Sequence, residues 1–378
     1  LGVNPLEIQD GNCEYTISLI LEKILSVPKS KISRELLKNK KFVWIKRNIS
    51  PREHQEIINL GKIGLRTSIG DKRIYSQGEI TSHVVGYTNI DGVGLGGVEK
   101  GLESQLANGK DIYLSIDSRL QETVRHELIK TIKKYSAHSG LSIVLDIESG
   151  EILSMNSYPD FNPNNNKTFG SDNLFNKAIQ GNYEMGSTFK PITAAMGIDE
   201  KVINFDMLFD VSKPIKVGRY TIRDFHPHEG KLDLKEIIVK SSNIGAAKIA
   251  NKIGKKTQQE FFKKLGFYKK ISLEIDETVI PTANPNNWGK LETMTIGYGH
   301  GFAITPLHLS QAYASIVNGG YIVEPTLLLK KENPLFLISI IDSTTSKLVR
   351  QLLRAVILET EYTGPKIKIK GYDIGGKT

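Results

Sequence analysis

The chain contains a single cysteine, Cys13, among 378 residues, so no internal disulfide can form and a disulfide-stapled scaffold is excluded. It also lacks long apolar runs. The longest nearly uninterrupted one, residues 335–341, falls far short of the roughly 20 residues that a membrane helix needs. No internal repeat is evident, which argues against a solenoid or propeller. His226 and His228 around Pro227 have no second ligand cluster of matching spacing, so no metal is expected. No RNA- or DNA-binding motif with interleaved aromatics occurs. The formal charge of +9, from 50 basic and 41 acidic residues, fits nucleic acid but equally an anionic membrane surface or an anionic polymer such as cell wall.

What is present is the composition of a soluble globular protein, 39% hydrophobic and 24% charged, with length for roughly two or three domains and a large core. Leu1 is not a methionine, so a processed or truncated start is expected.

The stretch around which the chain is organised is Tyr183-Glu184-Met185-Gly186-Ser187-Thr188-Phe189-Lys190-Pro191, followed by an Ala-rich run. Gly186 breaks the preceding chain and Ser187 stands where a helix would begin, with Pro191 confined to its opening turn. Residues three apart share a helix face, which puts the Lys190 amine over the Ser187 hydroxyl. That pair is the minimum for nucleophilic catalysis without histidine. The lysine must be neutral to act, although a solvated one titrates at about 10.4, so burial and a second nearby cation are required. Taken alone, Ser187 reads equally as a helix cap. A second Ser-x-x-Lys, Ser26-Val27-Pro28-Lys29, has a proline between its ends and reads as a loop or helix start.

Two further segments could complete such a site. Lys240-Ser241-Ser242-Asn243, followed by small helix formers, reads as a corner between two helices, where Ser241 could relay protons and Asn243 could hold both Lys190 and a substrate carbonyl. Alone it would be a plain cap. The last residues, Tyr372-Asp373-Ile374-Gly375-Gly376-Lys377-Thr378, alternate as a strand and offer Lys377 as the second cation. Alone they read as readily as an exposed basic tail.

Ser-x-x-Lys, then Ser-x-Asn, then Lys-Thr in that order resembles the triple signature of penicillin-binding proteins and serine β-lactamases. The fuller strings around Ser187 and Ser241 resemble class B penicillin-binding proteins, the monofunctional peptidoglycan D,D-transpeptidases, and the division-septum type most. The likeness continues through Gly297-Tyr298-Gly299-His300-Gly301, Gln311-Ala312-Tyr313-Ala314, Arg73-Ile74-Tyr75, Gly97-Val98-Glu99 and Leu120-Gln121, and covers most of the chain from about Arg73 onward. The resemblance implies an α+β fold: a penicillin-binding/β-lactamase-like domain with an antiparallel sheet flanked by helices over residues 140–378, on a smaller N-terminal pedestal over residues 1–139. Both are expected to be incomplete, the first at its end and the second at its start.

By the same resemblance, Ser187 attacks a D-alanyl-D-alanine stem, Lys190 takes its proton, Ser241 relays a proton to the leaving group and Asn243 holds the substrate amide. Lys377 and Thr378 meet the terminal carboxylate. No metal or organic cofactor is implied. The implied partners are stem peptides, β-lactams, a polytopic membrane glycosyltransferase and other divisome proteins. The implied location is the inner membrane, through an anchor absent from this sequence, with the catalytic domain in the periplasm. One oxyanion amide of the family lies just past the glycine that follows Lys-Thr, so the sequence as it stands is expected to lack half of that hole, a loss of about 100- to 1000-fold in rate. The short connection Ala107-Asn108-Gly109-Lys110-Asp111, where many relatives carry a longer hairpin, implies a trimmed pedestal. The rivals are an elongation-type transpeptidase, a β-lactamase or antibiotic-sensor domain, and a non-catalytic divisome scaffold. Septal localisation, rapid deacylation and failure to acylate would respectively distinguish them.

Elsewhere, apolar spacing predicts helices over residues 17–25, 53–60, 121–134, 258–265, 307–317 and 346–357, and a hairpin over residues 141–146 and 151–156. Residues 294–301 are expected to line the cleft. Gly92-Val93-Gly94-Leu95-Gly96-Gly97 matches a dinucleotide fingerprint, but Thr88-Asn89-Ile90-Asp91 separates it from any strand at Val84-Val85, so a glycine-rich loop before a short helix is expected. Ser171-Asp172-Asn173 copies the second motif but precedes Ser187, and reads as a turn. Residues 223–229 read as a surface loop leading to the Ser-Ser-Asn corner.

Overall fold

The computed structural model describes residues 1–9, 13–62, 64–282, 288–330, 338–360 and 369–378; the side chains of Asn166 and Ser171 are not described. Residues 335–337 of the longest apolar run, and Lys368, lie outside that set. The chain forms two compact units, one of residues 1–74 with 88–93, the other of residues 75–87 with 94–378.

In the first unit, the helices Glu14–Leu25, Lys29–Leu36 and Pro51–Asn59 pack with a three-stranded antiparallel sheet ordered Val43–Trp44, Gly2–Val3, Leu65–Arg66. Ile17, Leu21 and Leu25 repeat at helical spacing and meet Ile32, Leu36, Val43 and Ile57 in one core. Ser26, at φ +53, ends the first helix, and Pro28 precedes the second, so the Ser26/Lys29 copy of the motif is a helix junction without a shared face. Ser50 and Glu53 form a reciprocal capping box, with Pro51 in the first turn.

The second unit is α+β. Its main core surrounds the helix Lys190–Asp199, on which every residue from Lys190 to Gly197 is buried. A helix enclosed on all sides needs no amphipathic stripe, which is why this segment shows composition rather than periodicity. The helices Leu234–Val239, Asn243–Ile253, Pro306–Val317 and Ser343–Glu359 pack around it. The antiparallel hairpin Gly140–Leu145/Ile152–Tyr158 is covered by the helix Ser118–Tyr135 and touched by Pro306–Val317. Buried Gln121 fastens helix to hairpin: its Nε2 donates to Met155 O at 3.0 Å and Asn156 Oδ1 at 2.9 Å, while its Oε1 accepts from Ser154 Oγ and Met155 N, both at 2.9 Å.

Three local expectations are corrected. Val84 and Val85 lie in the helix Ser82–Val85, because the 3-10 turn Gly78–Thr81 runs straight into it. Residues 171–173 open the short helix Ser171–Leu174, whose backbone is held by Leu174 N donating to Gly170 O at 3.0 Å. Residues 369–378 form no strand. The tail instead lies along the helix Ser343–Glu359: Gly376 N donates to Leu353 O at 3.0 Å, and Arg354 Nη1 to Ile374 O at 2.9 Å. Its polar groups are thus taken up by a helix instead of a neighbouring strand. Among the described residues, no helix is long and apolar enough to cross a membrane.

Candidate active site

Three pieces of chain converge on the Lys190 amine. Gly186–Phe189 form a 3-10 turn that runs directly into the Lys190–Asp199 helix, so Ser187 and Lys190 share a face as their spacing predicts. The turn is fastened from behind: Tyr313 on the Pro306–Val317 helix donates its hydroxyl to Thr188 O at 2.6 Å, and Thr193 Oγ1 donates to Gly297 O at 2.8 Å. The second piece is the corner between the helices Leu234–Val239 and Asn243–Ile253. There Ser241 adopts φ +58, a conformation few non-glycine residues take. It turns both its carbonyl and its hydroxyl toward Lys190.

Lys190 Nζ stands 3.1 Å from Ser187 Oγ, 3.0 Å from Ser241 Oγ, 2.5 Å from Ser241 O and 2.8 Å from Asn243 Oδ1. The amide is oriented by its own Nδ2, which donates to Arg223 O at 3.1 Å. The carbonyl and the amide oxygen can only accept. In the neutral amine, two N–H bonds go to those two oxygens, and the lone pair is left facing the two serine hydroxyls. Burial first and the Lys377 charge second, opposed by Asp224, together lower the Lys190 pKa to about 7. The amine is therefore substantially neutral near pH 7, and a hydroxyl on either side can give it a proton.

Lys377 is itself lowered to about 8 by burial. It reaches Lys190 through its charge, while its Nζ donates to Thr378 O at 2.7 Å. Thr378 is exposed at the end of this segment. The structure thus brings Ser187, Lys190, Ser241 and Asn243 into contact, places Lys377 within electrostatic range and leaves Thr378 at the margin.

Asp224 was not singled out as a site residue, since the histidines and carboxylates of its segment were weighed only as a weak metal signal and the segment was read as a surface loop. Its carboxylate accepts from Ser242 Oγ at 2.8 Å and from Ile244 N at 2.9 Å, fixing the corner that presents Ser241 and Asn243. Ser242 in turn caps the Asn243–Ile253 helix by accepting from Gly245 N at 2.9 Å. The signal available in sequence was an acid upstream of a corner rich in hydroxyls and amides, which specifies no pairing. Among the described residues, no group of three or more His, Cys, Asp or Glu is placed to hold a metal.

A buried lysine facing two serine hydroxyls and an amide, on a helix enclosed by an α+β domain, defines the serine–lysine acyl-transfer class of site. The chain belongs to the penicillin binding protein transpeptidase domain family, whose model matches residues 140–378. It is 31% identical to the probable peptidoglycan D,D-transpeptidase FtsI of Caulobacter vibrioides, over 100% of this chain and 65% of that protein. It is 30% identical to the probable peptidoglycan D,D-transpeptidase PenA of Neisseria meningitidis, over 95% of this chain and 66% of that protein. With peptidoglycan D,D-transpeptidase FtsI of Escherichia coli it shares 28% identity, over 95% of this chain and 65% of that protein. The chain therefore spans 65 to 66% of the length of these relatives. Among solved structures, a peptidoglycan glycosyltransferase from Burkholderia ambifaria superposes with a TM-score of 0.62 at 25% identity, covering 70% of this chain and 80% of that one.

Proposed function

We propose that this protein is a septal-type peptidoglycan D,D-transpeptidase working through a Ser187 acyl-enzyme. The observation that carries the reading is Lys190 Nζ, held by two obligate acceptors and standing 3.1 Å from Ser187 Oγ and 3.0 Å from Ser241 Oγ. Ser187 Oγ attacks the carbonyl of the D-alanyl-D-alanine bond as its proton passes to Lys190 Nζ. The C–N bond then breaks, and the leaving D-alanine nitrogen collects a proton through Ser241 Oγ. An amine from a second stem attacks the ester and loses a proton to the same relay, forming the cross-link and restoring Ser187. Asn243 positions the substrate amide, and Lys377 with Thr378 meets the terminal carboxylate by charge-assisted hydrogen bonding. β-Lactams would acylate the same serine.

In this reading residues 140–378 are the transpeptidase domain and residues 1–139 a docking pedestal. The partners are stem peptides, a polytopic membrane glycosyltransferase and other division proteins, and the site faces the periplasm from the inner membrane. The names of the relatives, the family match and the Ser187/Lys190 geometry support it. The test is intact-mass acylation by a penicillin, on the protein in the full length its gene encodes, beside Ser187→Ala. A gain of one penicilloyl mass that Ser187→Ala abolishes is expected. A well-folded protein that never acylates would place it among non-catalytic scaffolds.

A further inference from the structure

The sheet of the first unit has an outer face that its own core does not use. Alternation along the strands puts Val3, Val43 and Leu65 in one row, turned inward, and Gly2, Trp44 and Arg66 in the next, turned outward. The Phe42 ring lies over Gly2 so closely that a Cβ there would stand 2.2 Å from it. Phe42 also meets Trp44 edge-on, with centroids 4.9 Å apart. Both rings remain 45% exposed, and Leu37, at the end of the preceding helix, is 70% exposed. Between Leu37 and Phe42 the chain turns back through Lys40 N donating to Lys38 O at 2.8 Å, with every residue of 38–41 exposed. Lys38 pairs with Glu35, whereas Lys40 and Lys41 form no ion pair among the described residues.

The core beneath is complete without this tip, since Leu36 and Val43 are already buried. Its exposed apolar side chains are therefore not failed core residues. Large apolar and aromatic groups flanked by uncompensated lysines match the chemistry of a lipid headgroup layer: rings settle at the interface and ammonium groups meet phosphates. A sugar polymer fits less well, because the Arg47 guanidinium already sits over the Trp44 ring at 5.2 Å and Phe42 stands against it at 86°. A symmetric second copy would bring Lys40 and Lys41 against their own equivalents. We propose that residues 37–44 dock on an anionic phospholipid bilayer, with Leu37, Phe42 and Trp44 at headgroup depth and Lys40 and Lys41 against lipid phosphates.

Tryptophan fluorescence tests this directly, because the chain has two tryptophans and Trp288 is buried at 4% exposure. The full chain is mixed with phosphatidylglycerol/phosphatidylcholine vesicles or with phosphatidylcholine alone, each with and without brominated acyl chains. Anionic vesicles should shift the emission to the blue and brominated ones should quench it, and Trp44→Phe should remove both effects. The double variant Lys40→Ser/Lys41→Ser, at exposed positions outside the core, should bind about an order of magnitude more weakly with an unchanged melting curve. Any of four results overturns the proposal: no binding to anionic vesicles; binding without Trp44 quenching, as expected of adsorption through other basic surfaces; a Trp44 shift with glycan strands but not with vesicles; or a dimer that Leu37→Ser disperses.

Discussion

Gly299 is clasped against Gly186, the residue immediately before the candidate nucleophile. Gly186 N donates to Gly299 O at 3.0 Å, and Gly299 holds φ +80 so close to its partner that a Cβ there would stand 2.2 Å from Gly186 O. The neighbouring strands Tyr183–Glu184 and Ala303–Ile304 pair on the same two segments, and Glu184 accepts from Gly301 N at 2.9 Å and pairs with His300 at 2.8 Å. The turn carrying Ser187 is thereby fixed from the side as well as from behind.

Gly299→Ala should therefore damage both stability and chemistry. The methyl group meets backbone, which cannot swing aside as a flexible side chain could, and the left-handed conformation adds its own penalty. Urea unfolding should show a loss of about 1–3 kcal/mol, and penicillin acylation should slow by more than the folded fraction explains. A variant that acylates at the normal rate would separate this clasp from the positioning of Ser187.

The acylation rate should rise with pH through about 7, because Lys190 must lose its proton before it can accept one from Ser187. The positive charge of Lys377 is one cause of that low value, so Lys377→Ala should move this limb to higher pH. It should stay below the ordinary lysine value of about 10.4, since burial is the larger cause. The check is the second-order acylation rate measured by intact mass across pH. A limb that stays put or moves down would break the link between the two lysines.

The Ser187/Lys190 pair was legible in the sequence because its geometry is local: three residues on a helix fix a shared face wherever that helix packs. Ser241 and Asn243 were legible as a corner, though their meeting with Lys190 across 51 and 53 residues rested on the order of motifs and not on periodicity. Asp224 was not legible, because its partners Ser242 and Ile244 are chosen by the fold of the loop that carries it. The strand expected at Tyr372 and Ile374 failed for a related reason: alternation states which face a residue prefers, but a strand also needs a neighbour for its backbone. The enclosed helix Lys190–Asp199 and the helix-covered hairpin followed from composition and turn chemistry.

Asp224→Ala should show what the loop contributes. Ile244 N and Ser242 Oγ lose their acceptor, at a cost of about 1–2 kcal/mol, and the corner presenting Ser241 and Asn243 loosens. Because the carboxylate raises the Lys190 pKa, its removal should shift the rising limb of acylation to lower pH, opposite in sign to Lys377→Ala, while the maximal rate falls. Denaturant unfolding and the pH profile together check this. A fall in stability with an unmoved limb would make Asp224 a helix cap without influence on the amine.

The same burial that prepares Lys190 for chemistry should be visible in folding alone. Its folded pKa is about 7, whereas in the unfolded chain it is about 10.4. Between those values the unfolded state binds more protons, so stability rises with pH by up to about 1.4 kcal/mol per unit for this one group. Below about 7 both states are protonated and the dependence vanishes, with the penalty for burying the charge at its full size. Lys377, lowered to about 8 by burial, adds a slope of the same sign that begins at higher pH, over a narrower window and so with a smaller total gain. Urea unfolding of the wild type and of Lys190→Met, compared from about pH 7 to about pH 9, should therefore give curves that diverge, the wild type gaining on the variant as pH rises. If the two stay parallel, Lys190 keeps its proton in the folded protein at neutral pH, and the lone pair that Ser187 needs is not there.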